Sequence, residues 1–353
     1  MYLNNLILII FLIIFGLFFY KTFLFILKKY NLKLLLDDQL AKPQAFHFSP
    51  TPAAGGTGIF ISLLFVFFYF LLFENIFFIE YLSFCTLFFF LGLVDDIKIN
   101  FNPKIRLALM IIFIVLLVKN NVFYLEQTGI AVLNLWIENS KIFSLIFICL
   151  CFLFIINGAN LIDGYNGLLG IHSFLIILNL FLINYFNDNN ELAILLFCII
   201  IILAIFLIFN FPKAKIFLGD GGAYLLGTLI SLSAIKTSIA NPLISPFYFC
   251  LLLFYLFFEV FFSFFRKLIK EKASPIRPDN KHLHMLIYKI LFKKNKNKLK
   301  SNYYVSIIIN SIHFLLILPA IFMMENGLFC KYYSLLFFLI YLFSYKLAYA
   351  KIK

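Results

Sequence analysis

Long apolar runs separated by short polar clusters set the rhythm of this chain. A helix needs roughly 20 mostly apolar residues to cross the hydrocarbon core of a bilayer. Runs of that kind begin near residues 6, 55, 76, 105, 141, 168, 191, 222, 244, 304 and 327. They predict an all-α polytopic membrane protein, a single domain over residues 1–353 with about eleven transmembrane helices. The first run, Leu6 to Leu27, is longer than a signal-peptide core and lacks a basic start and a small-residue cleavage site, so it is expected to be retained as a span. Between residues 120 and 140, VFYLEQTGIAVLNLW alternates roughly as a strand would around Gly129 and carries no evident chemistry.

Composition agrees with the pattern. At 64% hydrophobic, 13% charged and a mean hydropathy of +1.02, the chain lies outside the range of soluble globular domains. The six cysteines lie in or beside apolar runs with no Cys-x-x-Cys pair, and read as small core residues. A net charge of +13 would suit nucleic acid, but the basic residues sit in short loops rather than on a soluble face, so no nucleic-acid partner is expected. They report topology instead. With the N-terminus outside, loops 28–54, 95–106, 157–167, 210–221 and 266–303 and the C-terminal tail share one side and hold 24 Lys and Arg, against 4 on the other. The positive-inside rule makes that side cytoplasmic.

Every polar cluster with chemistry in it falls on that same side. Asp95 and Asp96 close the third run in FLGLVDDIKINFNPKIRLAL, followed by Lys98, Lys104 and Arg106. Adjacent carboxylates beside cations suit a hard divalent metal shared with phosphates, or a base; solvated punctuation at a helix end is the plain alternative. In NGANLIDGYNGLLG, Asn157, Asn160 and Asp163 recur every three residues and share one helical face. A helix-ending turn explains Gly164 and Gly167 but not three spaced polar groups. In NFPKAKIFLGDGGAYLLG, Lys213 and Lys215 precede Phe217, and Asp220 stands among Gly219, Gly221 and Gly222 at the start of a run, a natural phosphate site without the signature of a Walker A loop.

The long basic loop carries RPDNKHLHMLIYK, with Arg277, Asp279 and Lys281 before His282 and His284. That spacing favours phosphate contact or base positioning over zinc, with a solvated loop pair as the plain alternative. Glu259 lies inside the ninth run, where an ionisable group is a functional candidate; an ion pair with Arg266 on the same face is the other reading. In SPTPAAGGTGIF, Pro50 and Pro52 stiffen the approach to the second run.

Taken in order, TPAAGG, VDDIKINFNPKIRL, NGANLIDGYNG, NFPKAKIFLGDGG and HLH resemble the polyprenyl-phosphate N-acetylhexosamine-1-phosphate transferase family over residues 37 to 290. The resemblance implies a Mg²⁺-dependent enzyme, with Mn²⁺ as an alternative ion, in the bacterial plasma membrane with its site on the cytoplasmic face. It would join a sugar-1-phosphate from a UDP-N-acetyl sugar to a polyprenyl phosphate and release UMP. A second copy of the chain is a candidate partner. By position, Asp220 would be the principal metal ligand, while Asp95 and Asp96 would handle the lipid phosphate or organise the metal, and Asp163 would complete the acidic centre. Asn157 and Asn160 would line the substrate. Asn210 and Phe217 match positions that meet the uracil, Thr51 and Gly164 positions lining the nucleoside pocket, and His282 and His284 loop histidines near the diphosphate.

Three departures stand out: Met285 where a third His is usual, Ala223 where a Ser is usual, and Asn166 where the peptidoglycan branch has a second acid. The HLH arrangement and the eleventh span resemble the branch that starts surface polysaccharides from UDP-GlcNAc more than the phospho-N-acetylmuramoyl-pentapeptide branch. Charge alone adds a mechanistic point. A phosphate monoester has a second pKa of about 6, so the lipid phosphate is mostly dianionic at neutral pH and needs no strong base. The task is to bring two polyanions together, with Lys104, Lys213, Lys215 and the histidines screening their repulsion. Two rivals remain: a secondary transporter, which would place polar groups at the bilayer midplane, and a CDP-alcohol phosphotransferase, whose Ala-Arg and later paired aspartates do not follow Asp163-Gly164 here.

Overall fold

A computed structural model describes residues 2–30, 36–37, 51–99, 102–121, 127–272, 274 and 279–352. Pro50, Arg277 and most of loop 28–54, singled out above, lie outside the described residues. In chain order the helices are α1 (Tyr2–Tyr30), α2 (Gly55–Tyr69), α3 (Ile79–Asp96), α4 (Pro103–Asn121), α5 (Ala131–Asn139), α6 (Lys141–Ile162) and α7 (Leu168–Phe186). They continue as α8 (Asn190–Asn210), α9 (Gly219–Ala240), α10 (Pro246–Leu252), α11 (Phe254–Phe265), α12 (Leu283–Asn295), α13 (Lys298–Phe322) and α14 (Gly327–Ile352). One two-stranded ladder pairs β1 (Leu36–Asp37) antiparallel with β2 (Thr51–Pro52).

Among the described residues eight helices are long and apolar enough to cross a membrane: α1, α2 with the π-helical turn Phe70–Glu74 that extends it, α6, α7, α8, α9, α13 and α14. The pair α10 and α11, bent by 76° at Leu253, makes a ninth if read as one broken span. The runs starting near 76 and 105 form α3 and α4, each with three charged residues near its ends, and those two fall outside the eight. The strand-like stretch is corrected. Residues Ala131–Asn139 of it form the helix α5, and the Ser140 side chain accepts from Phe143 N at 3.2 Å to start α6. With large apolar residues such as Val132, Leu135 and Trp136 exposed, the apparent alternation reflects a half-wet surface helix rather than a strand.

The core is built around α9, of whose most apolar stretch 78% is buried. It packs on α2, α3, α6 and α7 through Gly221, Gly222, Ala223, Gly227, Ser231 and Ser233, since small residues let backbones approach where no hydrophobic force separates helix from lipid. A Cβ on Gly56 would stand 2.4 Å from Gly222 Cα. The antiparallel partners α3 and α9 are tied at both ends. Asp96 accepts from the backbone at the start of α9, and sixteen residues earlier on α3 Glu80 pairs with Lys236 at 3.1 Å, with Tyr81 and Ser233 hydroxyls 3.2 Å apart beside it. Three hydroxyls inside the spans return to their own helices, Ser62 to Gly58 O, Thr228 to Tyr224 O and Ser231 to Gly227 O, so none of these three donors is stranded in the apolar interior.

Candidate active site

Three helix ends meet where α3 stops, α6 turns into α7, and α9 begins. The start of α9 offers unpaired N–H groups and a positive dipole end. Asp96, the last residue of α3, fills that need: its Oδ1 accepts from Asp220 N at 2.8 Å and its Oδ2 from Gly221 N at 2.9 Å. The fit depends on glycine. Gly219 has φ +80°, and a Cβ there would stand 2.6 Å from Asp96 Oδ2, while a Cβ on Gly92 would stand 2.5 Å from the Asp220 carbonyl. Asn160, on the last turn of α6, donates from Nδ2 to Asp220 Oδ1 at 2.7 Å. Asp163 follows as the residue that ends α6. Burial, and then the neighbouring Asp220 charge, push its carboxyl up to about 8.

The adjacent acids therefore separate. Asp96 serves the helix end, while Asp95 bonds Arg106 of α4, whose guanidinium lies 5.9 Å from the centre of the Tyr224 ring. Of the stripe 157, 160, 163, only Asn160 and Asp163 reach the acidic centre. Asn157 donates back to Leu153 O at 2.8 Å and lies 3.9 Å from Met110 Sδ. Lys104 is exposed at the start of α4, and Lys213 and Lys215 are exposed before α9.

The second loop wall is made by backbone pairing. Phe217 N donates to Pro52 O, Gly55 N to Phe217 O and Gly56 N to Leu218 O, each at 2.8 Å, which docks the approach to α2 along the turn before α9. Thr51 is buried in β2 and Phe217 is half-buried. Nothing lies within 4 Å of where a Gly164 side chain would point, so that residue borders open space. Asn210 is a clamp between loops: its Oδ1 accepts from Gly167 N at 2.7 Å and its Nδ2 donates to Ile216 O at 2.9 Å, which occupies both ends of the amide. Asn166 works similarly, donating from Nδ2 to Pro212 O at 2.9 Å while its backbone meets Asn302 Oδ1 and Ser306 Oγ of α13.

The histidines form a separate buried cluster. His282 caps α12 and His284 stands in its first turn; they are 2% and 0% exposed, with rings 5.5 Å apart and nearly parallel. His282 Nδ1 lies 3.0 Å from Glu259 Oε1 and its Nε2 3.2 Å from Asp279 Oδ1. His284 Nδ1 meets the Tyr255 hydroxyl at 3.2 Å, and burial pushes this imidazole down to about 3, so it is neutral at physiological pH. The alternative reading, a Glu259–Arg266 pair, is not what forms: Arg266 bonds Glu271 at 2.8 Å and Asp279 at 2.7 Å, because the chain folds those loop acids back over it. The link from this cluster to the acids is Tyr165, two residues after Asp163, whose ring meets His284 at 5.8 Å. Sequence reasoning missed Tyr165, Tyr255, Tyr341, Asn302 and Ser306. Only Tyr255 left a signal, four residues before Glu259 on the same helical face.

Among the described residues no three His, Cys, Asp or Glu side chains are arranged as a metal site. The donor chemistry nevertheless fits a Mg²⁺ that shares its ligands with substrate phosphates. Asp163 makes no hydrogen bond or ion pair among the described residues and feels the charge of the neighbouring Asp220, and hard oxygen donors of like charge suit such an ion. Away from the acids, an apolar cavity of about 300 Å³ lies beside the α10–α11 bend, lined by Phe147, Phe154, Ile155, Phe247, Leu253 and Phe257.

This combination of a polytopic helical core with an acidic centre at clustered helix ends defines a class of membrane-embedded proteins. Comparison with known proteins places the chain within that class. The pattern of glycosyl transferase family 4 matches residues 78–238, from α3 to α9 and through all three acid-bearing turns. The phospho-N-acetylmuramoyl-pentapeptide-transferase of Dictyoglomus turgidum is 38% identical over 198 residues, 54% of this chain and 61% of that protein. The undecaprenyl-phosphate alpha-N-acetylglucosaminyl 1-phosphate transferase of Thermotoga maritima is 31% identical over 241 residues, 67% of this chain and 68% of that protein. The Escherichia coli O157:H7 protein of the same name is 27% identical over 285 residues, 78% and 75% of the two chains. The chain belongs to glycosyl transferase family 4.

Proposed function

We propose that the protein transfers an N-acetylhexosamine-1-phosphate from a UDP-sugar to a polyprenyl phosphate, giving a polyprenyl-diphosphate sugar and UMP. The reading includes eleven spans in a bacterial plasma membrane, the nine counted above with α3 and α4, an outside N-terminus and a cytoplasmic site. The observation that carries it is the convergence of Asp96, Asn160, Asp163 and Asp220 from three helix ends beside the open space at Gly164.

In this reaction an oxygen of the lipid phosphate attacks the β-phosphorus of the UDP-sugar. The bond from that phosphorus to the bridging oxygen breaks, and the electron pair leaves with UMP. Because the lipid phosphate is already mostly dianionic, no residue has to take a proton from it. Asp220 and Asp163 would hold Mg²⁺, which when bound supplies positive charge against the two polyanions. Asp96 fixes Asp220 through the backbone of α9, and Asn160 fixes its Oδ1. Asp95 keeps Arg106 in place near the same helix end. The apolar cavity beside the α10–α11 bend suits a stretch of the polyprenyl chain.

The N-acetylglucosamine-type donor is the first choice, supported by the span α14 and the His-x-His loop. The peptidoglycan donor is the second, favoured by the 38% identity to the Dictyoglomus turgidum protein. Two of the three departures lie in the apolar core, Met285 at 1% and Ala223 at 0% exposed, and the third, Asn166, donates to Pro212 O. The test is incubation of membranes with labelled UDP-N-acetyl sugars, undecaprenyl phosphate and Mg²⁺. Lipid-linked label with UMP release is expected. Absence of lipid-linked label with every donor overturns the reading, and substrate flux into proteoliposomes without UMP would replace it with transport.

A further inference from the structure

Glu259 is 1% exposed inside the span that follows the bend, and both of its carboxylate oxygens are in use. Oε1 accepts from His282 Nδ1 at 3.0 Å and from Leu283 N at 3.1 Å; Oε2 accepts from the Tyr341 hydroxyl at 2.6 Å. Leu283 is the first residue of α12, so this one carboxylate sits at the N-terminus of that helix while it holds the ring of the capping residue. Both ring nitrogens of His282 face carboxylate oxygens, Nδ1 that of Glu259 at 3.0 Å and Nε2 that of Asp279 at 3.2 Å, so the two acids fix the ring from opposite sides. Four residues before Glu259, Tyr255 holds His284 in the same manner, which makes one face of α11 a template for the parallel imidazoles.

Packing alone does not call for this arrangement. Tyr341 of α14 stands among the rings of Phe254, Phe258 and Phe262, at 4.8 to 6.3 Å, where a phenylalanine would pack equally well. An ionisable group buried in a span is costly unless it is fully bonded, and here the bonds come from His282, from the first backbone N–H of α12 beside it and from Tyr341.

We infer that Glu259, itself held by the Tyr341 hydroxyl, is the positioning residue for His282, so that the last span α14 sets the orientation of a loop imidazole. His282 owes its place near the diphosphate to the transferase reading, and the inference rests on that reading. The Tyr341 hydroxyl fixes the carboxylate plane, and the carboxylate fixes the ring, as an outer carboxylate orients a working histidine in other sites. Neither Tyr341 nor Glu259 needs to touch substrate.

The experiment uses the full chain in detergent or nanodiscs and the variants Tyr341→Phe, His282→Ala and the double variant. For Tyr341→Phe, UMP release is expected to fall about tenfold in kcat, as for one lost hydrogen bond to a charged group, with KM for the lipid phosphate unchanged. In the His282→Ala background the same change is expected to cost nothing further, because the pathway it serves is gone. Deuterium uptake over residues 279–286 is expected to rise in Tyr341→Phe. An additive loss in the double variant marks a structural role and overturns the inference, as does wild-type exchange over that segment. If the wild-type chain releases no UMP with any donor, the transferase reading fails separately, and the exchange measurement alone decides the positioning. Glu259→Gln serves as a second variant, expected to raise exchange over the same segment.

Discussion

Replacing Asp96 with Asn removes the acceptor that faces one of two backbone donors at the start of α9. Burial, and then the Asp220 charge, push the Asp96 carboxyl up to about 8 against the pull of Asp220 N at 2.8 Å and Gly221 N at 2.9 Å, so the comparison is made above pH 8, where the carboxylate is charged. The amide keeps one oxygen acceptor and turns an NH₂ group toward the other N–H. One hydrogen bond to a charged group, worth about 1.5–3 kcal/mol, is lost. The negative charge at the helix N-terminus, worth about 0.3–1 kcal/mol, goes with it. The total is about 2–4 kcal/mol, and it falls on the two peptide units that carry Asp220. If that energy is what holds Asp220 in its working place, the corresponding loss in kcat is roughly 30- to 1,000-fold. The assay is UMP release by purified protein, run beside thermal melting in detergent. Asp95→Asn is the control. Its partner Arg106 is partly exposed, so breaking that pair costs about 1 kcal/mol or less and under about tenfold in rate. Wild-type kcat and melting in Asp96→Asn would refute the helix-end account, as would a larger loss from Asp95→Asn than from Asp96→Asn.

Further outcomes concern the loops and the donor. Asn166→Asp replaces a donor to Pro212 O with a second acceptor and should destabilise the chain by about 1–3 kcal/mol, seen as a lower melting temperature; unchanged melting would remove the clamp. Asp220→Asn should abolish transfer at every Mg²⁺ concentration while the protein remains in the membrane, and retained activity would remove the metal assignment. Phe217→Ala should mainly raise KM for the UDP-sugar, and an unchanged KM would argue against stacking. The His284 imidazole is held down to about 3 by burial, against an ordinary value of about 6.5 in the unfolded chain. Its neutral form therefore stabilises the fold above pH ~6.5, and that contribution is lost as pH falls below it, by up to about 2 kcal/mol at pH 5. His284→Gln should lower stability at pH 7 yet flatten the decline in melting temperature between pH 7 and pH 5; an equal decline would show that the imidazole does not govern it.

Helix starts were legible because a membrane allows one solution to an apolar run of that length. The runs at 55, 141, 168 and 327 begin at the helix starts Gly55, Lys141, Leu168 and Gly327, and the others lie within six residues, the widest gap being at Lys298. Contacts between distant segments were less legible. Helical spacing put Asn157, Asn160 and Asp163 on one face, but only the neighbour across the gap decides which of them meets Asp220 and which turns back to Leu153. Glu259 was recognisable as costly, and seven-residue spacing suggested Arg266. Its partners came instead from residues 23 to 82 positions away, a distance over which spacing carries no information. The bend at Leu253 left no proline or glycine to announce it. Asn210 matched a donor-contact position, yet the structure shows both ends of its amide bound to backbone.

The ties between α3 and α9 have a consequence for membranes of different thickness. Glu80 and Asp96 on one helix, and Lys236 and Asp220 on the other, are both sixteen positions apart, a rise of about 24 Å. Two antiparallel rods joined at both ends at equal length form a fixed ruler: neither can slip by a turn, and a single inserted residue in either would rotate an end by about 100° and break the joint there. Tilt and stretch imposed by a thicker or thinner bilayer must then be taken up by the lightly buried helices α1 and α14, while the distance from the Glu80–Lys236 pair to the acids stays constant.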